Sequence, residues 1–374
     1  FLILFFTTTA KAQKEAETFN VDSTLYEYYQ RCQEYLLEPV VLSMSDTLFR
    51  MAGERHDERM QAVAIATRLD YYYFQGTNED SVIHYTNKVK EFAKATHQPK
   101  YYYFAWANRL VTYYLKTSRT NIALYEVQNM LKEAQKEDDK TGLSRCYNIM
   151  SQIYTIKRFD SMAFEWRLKE IELTEKYNIE NYNISQTYAQ IANYYISQKK
   201  QKEALRAVEK AISTANSSTQ QISAKLEYVN YYSKFGDFQA AEKILKECQI
   251  AFEQDKRLES IKKRLYNIEC LYYQQTRQYQ KALEAAEMQE KEEHRLSESI
   301  LSSSHYRTQG EIYQKMGNMN MAVKYLQMYI NTDDSLKIAN EQVASSEFAT
   351  LLNVEKLNAE KKELMLQAQE KELH

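Results

Sequence analysis

A tyrosine that recurs at nearly constant spacing limits what this chain can fold into more than any other feature. It ends short aromatic stretches at intervals of 37 to 41 residues, at Tyr73, Tyr114, Tyr154, Tyr195, Tyr232, Tyr273 and Tyr313. Nine residues after each of these tyrosines lies a small or apolar residue, namely Val82, Ala123, Ala163, Ala204, Ala241, Ala282 and Ala322. Self-similarity at such a period is the signature of stacked supersecondary units, each packing on its neighbours. The chain is therefore predicted to be a repeat array.

The composition indicates that each repeating unit is a pair of α-helices. The 374 residues include only 6 Gly and 2 Pro, so turns are few and helices are long. In three repeats a turn signal lies between the tyrosine and the small residue, at Gly76, Gly236 and Gly317. We therefore expect one helix to end just after each tyrosine and a second helix to begin near the small residue.

Two further positions make the pattern specific. Seven residues before the recurring tyrosine stand the aromatic residues Tyr147, Tyr188, Tyr266 and Tyr306, and three residues before it stand Ser151, Ala192, Val229, Cys270 and Gly310. With this pattern, residues 56–331 resemble an array of tetratricopeptide repeats. The resemblance implies an all-α fold, a right-handed α-solenoid of about seven helix pairs whose first helices line a concave groove. The period near 40 departs from the family's 34, and Asp70 stands at the small position of the first repeat.

The segments on either side of the array do not follow the repeat. An apolar run, Phe1 to Phe6, precedes Ala10-Lys11-Ala12, so we expect residues 1–12 to be the remainder of a secretory signal peptide. The alternative is that this run belongs to a buried first helix. It is not predicted to be a membrane span, since six apolar residues are too few to cross a bilayer. Residues 13–55 are predicted to form N-terminal capping helices, with Pro39 in the first turn of the second helix and Gly53 at its end.

Residues 332–374 are predicted to form one long charged helix. Its narrow apolar stripe lies among Glu and Lys residues and is compatible with a two-helix coiled coil, and hence with a homodimer. Such a helix would lead toward a membrane span outside this sequence.

No catalytic or metal-binding pattern occurs in the sequence. The six histidines are scattered, no glycine-rich phosphate loop is present, and the four cysteines form no C-x-x-C pair. We therefore predict that the protein is not an enzyme, needs no cofactor or metal, and uses its cysteines as small buried apolar residues. The net charge of −2, with short and mixed basic clusters, gives no support to nucleic-acid binding.

The resemblance also suggests where a ligand would bind. Polar residues occupy positions that face the groove in this family: Asn108, Asn148, Gln152, Asn193, Asn230 and Asn267, with Arg145, Arg264 and Arg307. Side-chain amides carry both a donor and an acceptor, so a row of them can hold an extended peptide backbone. The alternative is that these residues are ordinary polar groups on a solvated face. Most of the tyrosines occupy the packing positions of the repeat, so we interpret them as core residues and not as a carbohydrate-binding surface.

The functional prediction is a non-catalytic, exported sensor domain that binds a peptide or protein in its groove. The sequence resembles the periplasmic regions of bacterial membrane-anchored signalling proteins, in which such repeats precede a membrane span and a histidine kinase or helix-turn-helix output. That resemblance implies a periplasmic domain tethered to the inner membrane through flanking sequence. A scaffold or adaptor without signalling output, exported or cytoplasmic, is the second interpretation, and a glycan-binding repeat protein is a third.

Overall fold

A computed structural model describes residues 21–76, 78–179, 181, 183–296 and 303–372. Within these residues every regular element is a helix, which confirms the predicted all-α repeat fold. The predicted signal-peptide remainder, residues 1–12, lies outside the described residues. None of the described helices is both long and apolar enough to cross a membrane. The chain forms two compact units: unit 1 contains the described residues up to Lys157 and from Val343 onward, and unit 2 contains 158–342.

Unit 1 begins with a helix pair that precedes the first repeat. Its helices are α1 (Ser23–Glu34), α2 (Val40–Glu54), α3 (Glu58–Gln75), α4 (Glu79–Ala95), α5 (Pro99–Tyr103), a π-helix (Phe104–Val111), α6 (Thr112–Lys116), α7 (Thr120–Lys136) and α8 (Lys140–Ile156). Pro39 is the N-cap of α2, at the predicted helix start. The sequence predicts that Gly53 ends α2, but the helix continues to Glu54, and the residue with a left-handed φ (54°) is His56.

Unit 2 continues the helix pairs. Its helices are α9 (Asp160–Tyr177), α10 (Ile184–Ser197), α11 (Gln201–Ser213), α12 (Ser218–Phe235), α13 (Phe238–Gln254), a 3₁₀-helix (Lys256–Ile261), α14 (Lys262–Gln275), α15 (Tyr279–Leu296), α16 (Ser304–Lys315) and residues 319–342 of α17 (Met319–Glu372). The sequence predicts a boundary between Asn331 and Thr332, where the repeat pattern stops. The structure has no helix end there, because α17 is one helix of 54 residues.

The recurring small residues form the centre of the packing. All seven residues that follow the recurring tyrosine by nine positions are between 0 and 3% exposed. Ala204, for example, lies in a cluster with Ile196 and Tyr231, and Phe164 stacks on Tyr194 with ring centroids 4.1 Å apart. A small side chain at these positions lets neighbouring helices approach, and the adjacent rings fill the remaining space. The register read from the sequence is therefore the register of the core.

The turns inside the pairs share one backbone conformation. Gly76, Gly236 and Gly317 have φ values of 69°, 90° and 79°. The equivalent turns of the other four repeats place non-glycine residues in the same left-handed region, namely Ser118, Arg158, Lys199 and Arg277, with φ between 57° and 63°. A residue with a Cβ pays about 1–2 kcal/mol for this conformation. The packing of each helix pair thus imposes the turn even where the sequence lacks glycine.

The four cysteines, Cys32, Cys146, Cys248 and Cys270, are free and buried. This confirms the prediction that they act as small apolar residues. Burial raises the pKa of the Cys146 thiol to about 12 and those of Cys32 and Cys248 to about 11.

Candidate functional site on three first helices

The first helices of three consecutive repeats pack side by side in unit 2. These helices are α10, α12 and α14, and α12 contacts both of the others. Residues at the same distance from the recurring tyrosine therefore lie next to each other on neighbouring helices. Asn193 and Asn230 both precede their tyrosine by two positions, and Nδ2 of Asn230 lies 3.5 Å from Oδ1 of Asn193. The structure thus brings these two predicted residues together.

A buried carboxylate continues this row toward α14. The side chain of Glu227, on α12, is only 3% exposed and forms an ion pair with Arg264 of α14. Nδ2 of Asn230 also donates to Oε2 of Glu227 at 3.3 Å. Asn193, Asn230, Glu227 and Arg264 therefore form a connected set across three helices, which we call the polar row.

Reasoning from the sequence missed Glu227. Its signal is a charged residue inside the apolar stretch from Leu226 to Val229, five residues before the recurring tyrosine. The equivalent position of the preceding repeat is also polar: Gln190 on α10 accepts a hydrogen bond from Nε of the buried Arg167 at 2.7 Å. An arginine thus meets a side-chain oxygen at this position in both repeats. A search for polar residues at that one repeat position would have found both.

Two predicted residues of unit 2 lie outside the polar row. Asn267 is exposed on α14, and its side chain makes no hydrogen bond within the described part of the chain. Arg307 is exposed on α16, where its Nε donates to Glu311, one turn further along the same helix, at 2.8 Å. Among the described residues Arg307 therefore has a local partner and makes no link to a neighbouring first helix.

The remaining predicted residues belong to unit 1. Arg145, Asn148 and Gln152 lie on α8, and Nε2 of Gln152 donates to Oδ1 of Asn148 at 2.7 Å. Gln152 is exposed, and the other two are half-buried. Asn108 is half-buried in the π-helix, and its buried Oδ1 has no hydrogen-bond partner among the described residues.

A second buried carboxylate lies on α14. Glu269 is 9% exposed and accepts a hydrogen bond from Nε2 of Gln249 at 2.6 Å. Burial raises the pKa of Glu269, and the hydrogen bond from Gln249 opposes this. Within the described residues no group of His, Cys, Asp and Glu side chains is arranged to hold a metal ion. The row can bind a ligand by hydrogen bonding through the amides of Asn193 and Asn230, whereas the Glu227 carboxylate is buried and already paired.

No protein-family model matches this chain, and no curated protein matches it. Solved structures do match. The apo form of the quorum sensor NprR from B. thuringiensis has 14% sequence identity and a TM-score of 0.50, covering 86% of this chain and 91% of that one. A Rap protein complexed with competence and sporulation factor has 13% identity and a TM-score of 0.49, covering 90% and 99%. A tetratricopeptide repeat protein from Parabacteroides merdae has 14% identity and a TM-score of 0.45, covering 86% and 99%.

At such identities the likeness concerns the fold alone. It agrees with the recurring Tyr, the buried small residues and the helix pairs. The chain therefore folds as a tetratricopeptide-repeat protein.

Proposed function

We propose that this chain is a non-catalytic binding domain that holds an extended peptide, or an extended segment of a protein, along the polar row of unit 2. The observation that carries the proposal is the hydrogen-bonded connection of Asn193, Asn230 and Glu227 across α10 and α12. A peptide backbone presents one donor and one acceptor per residue, and side-chain amides complement both. Glu227, which is paired with Arg264, accepts a hydrogen bond from Asn230 and so holds its amide in place, and less conformational entropy is then lost on binding.

The proposal extends to a sensory role outside the cytoplasm. The apolar run followed by Ala10-Lys11-Ala12 supports export, and the long charged part of α17 supports a connection to further sequence. Membrane tethering and a homodimer formed through the last turns of α17 belong to this proposal. The quorum sensor of the same fold offers a precedent for sensing on such an array.

Signalling requires that the ligand bind one arrangement of the array more tightly than another. Helix α17 is suited to report the change because its residues 319–342 belong to unit 2, the unit that carries the polar row. A change in unit 2 would then alter the position or pairing of this helix.

The binding proposal is tested with a random-peptide display library screened against the purified chain. Affinities of selected peptides are then measured for the wild type and for the double variant Asn193→Ala/Asn230→Ala. We expect the double variant to bind roughly tenfold more weakly, because two net hydrogen bonds contribute about 1–2 kcal/mol. The matched control is Gln239→Ala, which removes an exposed amide from the second helix α13 and should bind as the wild type does. Equal binding by the double variant, or no selected peptide, would contradict the proposal.

The sensory proposal has separate tests. Mass spectrometry of protein recovered from the extracytoplasmic fraction should find a mature N-terminus just after Ala12. The coding sequence beyond His374 should contain an apolar stretch of about 20 residues, followed by a kinase or helix-turn-helix pattern. A stop codon directly after His374 would instead favour the adaptor interpretation without output, and hits in a glycan-array screen would favour the glycan-binding one.

A further inference from the structure

A cavity in unit 1 is lined by residues of α1, α3, α5 and the start of the π-helix. Its volume is about 570 Å³, within the usual size range of small-molecule sites. Its walls carry the rings of Tyr29, Tyr101 and Phe104, and its charged lining residues are Asp70, Arg59 and Lys100. We call this cavity the α3 pocket. None of its lining residues belongs to the polar row.

Asp70 breaks the repeat pattern at this place. It occupies the position that holds a small or uncharged residue in later repeats, such as Ala192 and Gly310. A carboxylate that is 14% exposed is costly to bury unless it has partners. Burial raises the pKa of Asp70, and the hydrogen bond from Arg109 opposes that shift. The position therefore retains a charged group where the fold alone would favour a small one.

Arg109 holds the Asp70 carboxylate in a defined orientation. Its Nε donates to Oδ1 of Asp70. Its guanidinium carbon lies 4.4 Å from the ring centroid of Phe104 and 4.9 Å from that of Tyr73. The arginine is thus fixed by stacking as well as by the ion pair. Oδ2 of Asp70 makes no hydrogen bond to any described residue, so one oxygen of a pocket-lining carboxylate is left to accept from a ligand.

The helix that supplies Arg109 is itself unusual. Residues Phe104–Val111 form a π-helix, and among the described residues this is the one first helix that contains such a segment. The wider turn changes the direction in which the side chains of this helix point, relative to an α-helix of the same length. π-Helical turns are rare and occur frequently at functional sites. The residue that departs from the repeat pattern, Asp70, is therefore paired with a residue of the π-helix, Arg109.

The pocket combines apolar walls with charges of both signs. Asp70 suits a ligand ammonium group, whereas Arg59 and Lys100 suit a carboxylate, and the rings suit an apolar body. We propose that the α3 pocket binds a zwitterionic amphiphile of the size of an aromatic α-amino acid. Its ammonium group would donate to Asp70, its carboxylate would face Arg59 and Lys100, and its side chain would lie among the rings. This ligand class and this unit both differ from those of the peptide-binding proposal, so either can fail alone.

The first test compares three small ligands by isothermal titration calorimetry on the full chain. L-Phenylalanine carries both charges, 3-phenylpropionate lacks the ammonium group, and phenethylamine lacks the carboxylate. We expect phenylalanine to bind and each truncated analogue to bind roughly tenfold to hundredfold more weakly, since each loses a charge-assisted hydrogen bond. Absence of heat with millimolar phenylalanine, or equal binding of 3-phenylpropionate, would overturn the proposal.

The second test uses near-isosteric variants. Asp70→Asn keeps the shape of the side chain and should weaken phenylalanine binding roughly tenfold or more. The matched control is Asp46→Asn, which changes an aspartate that pairs with Arg68 at 2.8 Å and does not line the α3 pocket. The control should bind as the wild type does, and unchanged binding by a folded Asp70→Asn variant would overturn the proposal.

The third test remains decisive if the Asp70 variant fails to fold. Lys100 is exposed on α5, so Lys100→Gln leaves the core intact. The variant should bind phenylalanine more weakly and leave the affinity for phenethylamine unchanged, because only the former carries a carboxylate. Equal weakening of both ligands, or of neither, would contradict the assigned orientation.

Discussion

Glu347 on α17 caps the helix that begins next to Asn121. Its carboxylate accepts hydrogen bonds from the backbone N of Asn121 at 2.9 Å, from Nδ2 of Asn121 at 2.7 Å and from the backbone N of Ile122 at 3.2 Å. Oδ1 of Asn121 in turn accepts from Nζ of Lys157 at 2.8 Å. Helix α7 has no side-chain N-cap of its own, and a negative charge at a helix N-terminus is stabilising. A residue distant in the sequence therefore satisfies the free N–H groups of α7.

Removing this cap should loosen the start of α7. In Glu347→Ala the N–H groups of Asn121 and Ile122 lose a charged acceptor that is only 3% exposed. We expect the free energy of unfolding of the protein to fall by about 1–3 kcal/mol. Hydrogen–deuterium exchange should show faster exchange at these two amides. The control is Glu341→Ala on the same helix, where the side chain is exposed, and unchanged protection in Glu347→Ala would contradict the assignment.

Two of the three arginines predicted for the groove, Arg264 and Arg307, should differ in their effect on stability. Arg264→Ala leaves the carboxylate of Glu227 buried without its cation, and we expect a loss of about 3 kcal/mol. Arg307→Ala breaks a pair whose side chains are 61% and 45% exposed, so the loss should be below about 1 kcal/mol. Urea denaturation of both variants measures the difference. Adding Glu227→Leu to Arg264→Ala should restore most of the lost stability, and failure to do so would argue against an uncompensated charge as the cause.

Replacing Gly142 by alanine should destabilise the protein, although this substitution normally stabilises a helix. Replacing a helical glycine by alanine usually gains about 0.5–1 kcal/mol. At Gly142, however, a Cβ would overlap the ring of Tyr103, which is 1% exposed. We therefore expect Gly142→Ala to lose about 1–3 kcal/mol by overpacking. Gly53→Ala is the control, because the nearest atom to its new Cβ is the flexible Nε2 of Gln61 at 3.0 Å. Thermal melting of both variants shows whether each substitution raises or lowers stability. A stabilised Gly142→Ala variant would contradict the close approach of Gly142 to the Tyr103 ring.

The buried thiols should make the protein less stable at alkaline pH. Burial raises the pKa of Cys146 from 9.0 to about 12, so the folded state keeps this proton over a range in which the unfolded chain loses it. The contribution to stability is complete below the ordinary thiol pKa of 9.0 and is lost as the pH rises toward the pKa of the folded state. We expect urea midpoints to fall between pH 7.5 and 10.5, and to fall less in Cys146→Ala. The same decrease in both proteins would show that other groups, such as the tyrosines, account for it.

Part of this architecture could be predicted because it depends on spacing along the chain. The distance of nine residues between Tyr195 and Ala204 places both at the crossing of one helix pair, and Ala204 is fully buried as expected. Neighbouring repeats place equivalent residues side by side, so the closeness of Asn193 and Asn230 also followed from the period. Each of these relations is short in sequence or repeats at a known interval.

Other features depended on pairs that no period relates. The repeat position marks Glu227 as polar, but only the folded chain shows that it is buried and paired with Arg264, and the cap that Glu347 forms on α7 joins residues 226 apart. The π-helix and the pocket around Asp70 lie where Arg109 packs on several rings and pairs with Asp70, and no repeat spacing predicts these contacts. The neighbouring residues in the sequence do not reveal whether a helical carboxylate is exposed to water or paired with a buried cation.

The sequence by itself determined the repeat register, the all-α class and the positions of the small core residues, because helical periodicity and side-chain size act over a few residues. The tertiary structure decided which polar side chains are buried, paired or left to accept from a ligand. Those outcomes depend on desolvation and on partners brought together by the folded chain.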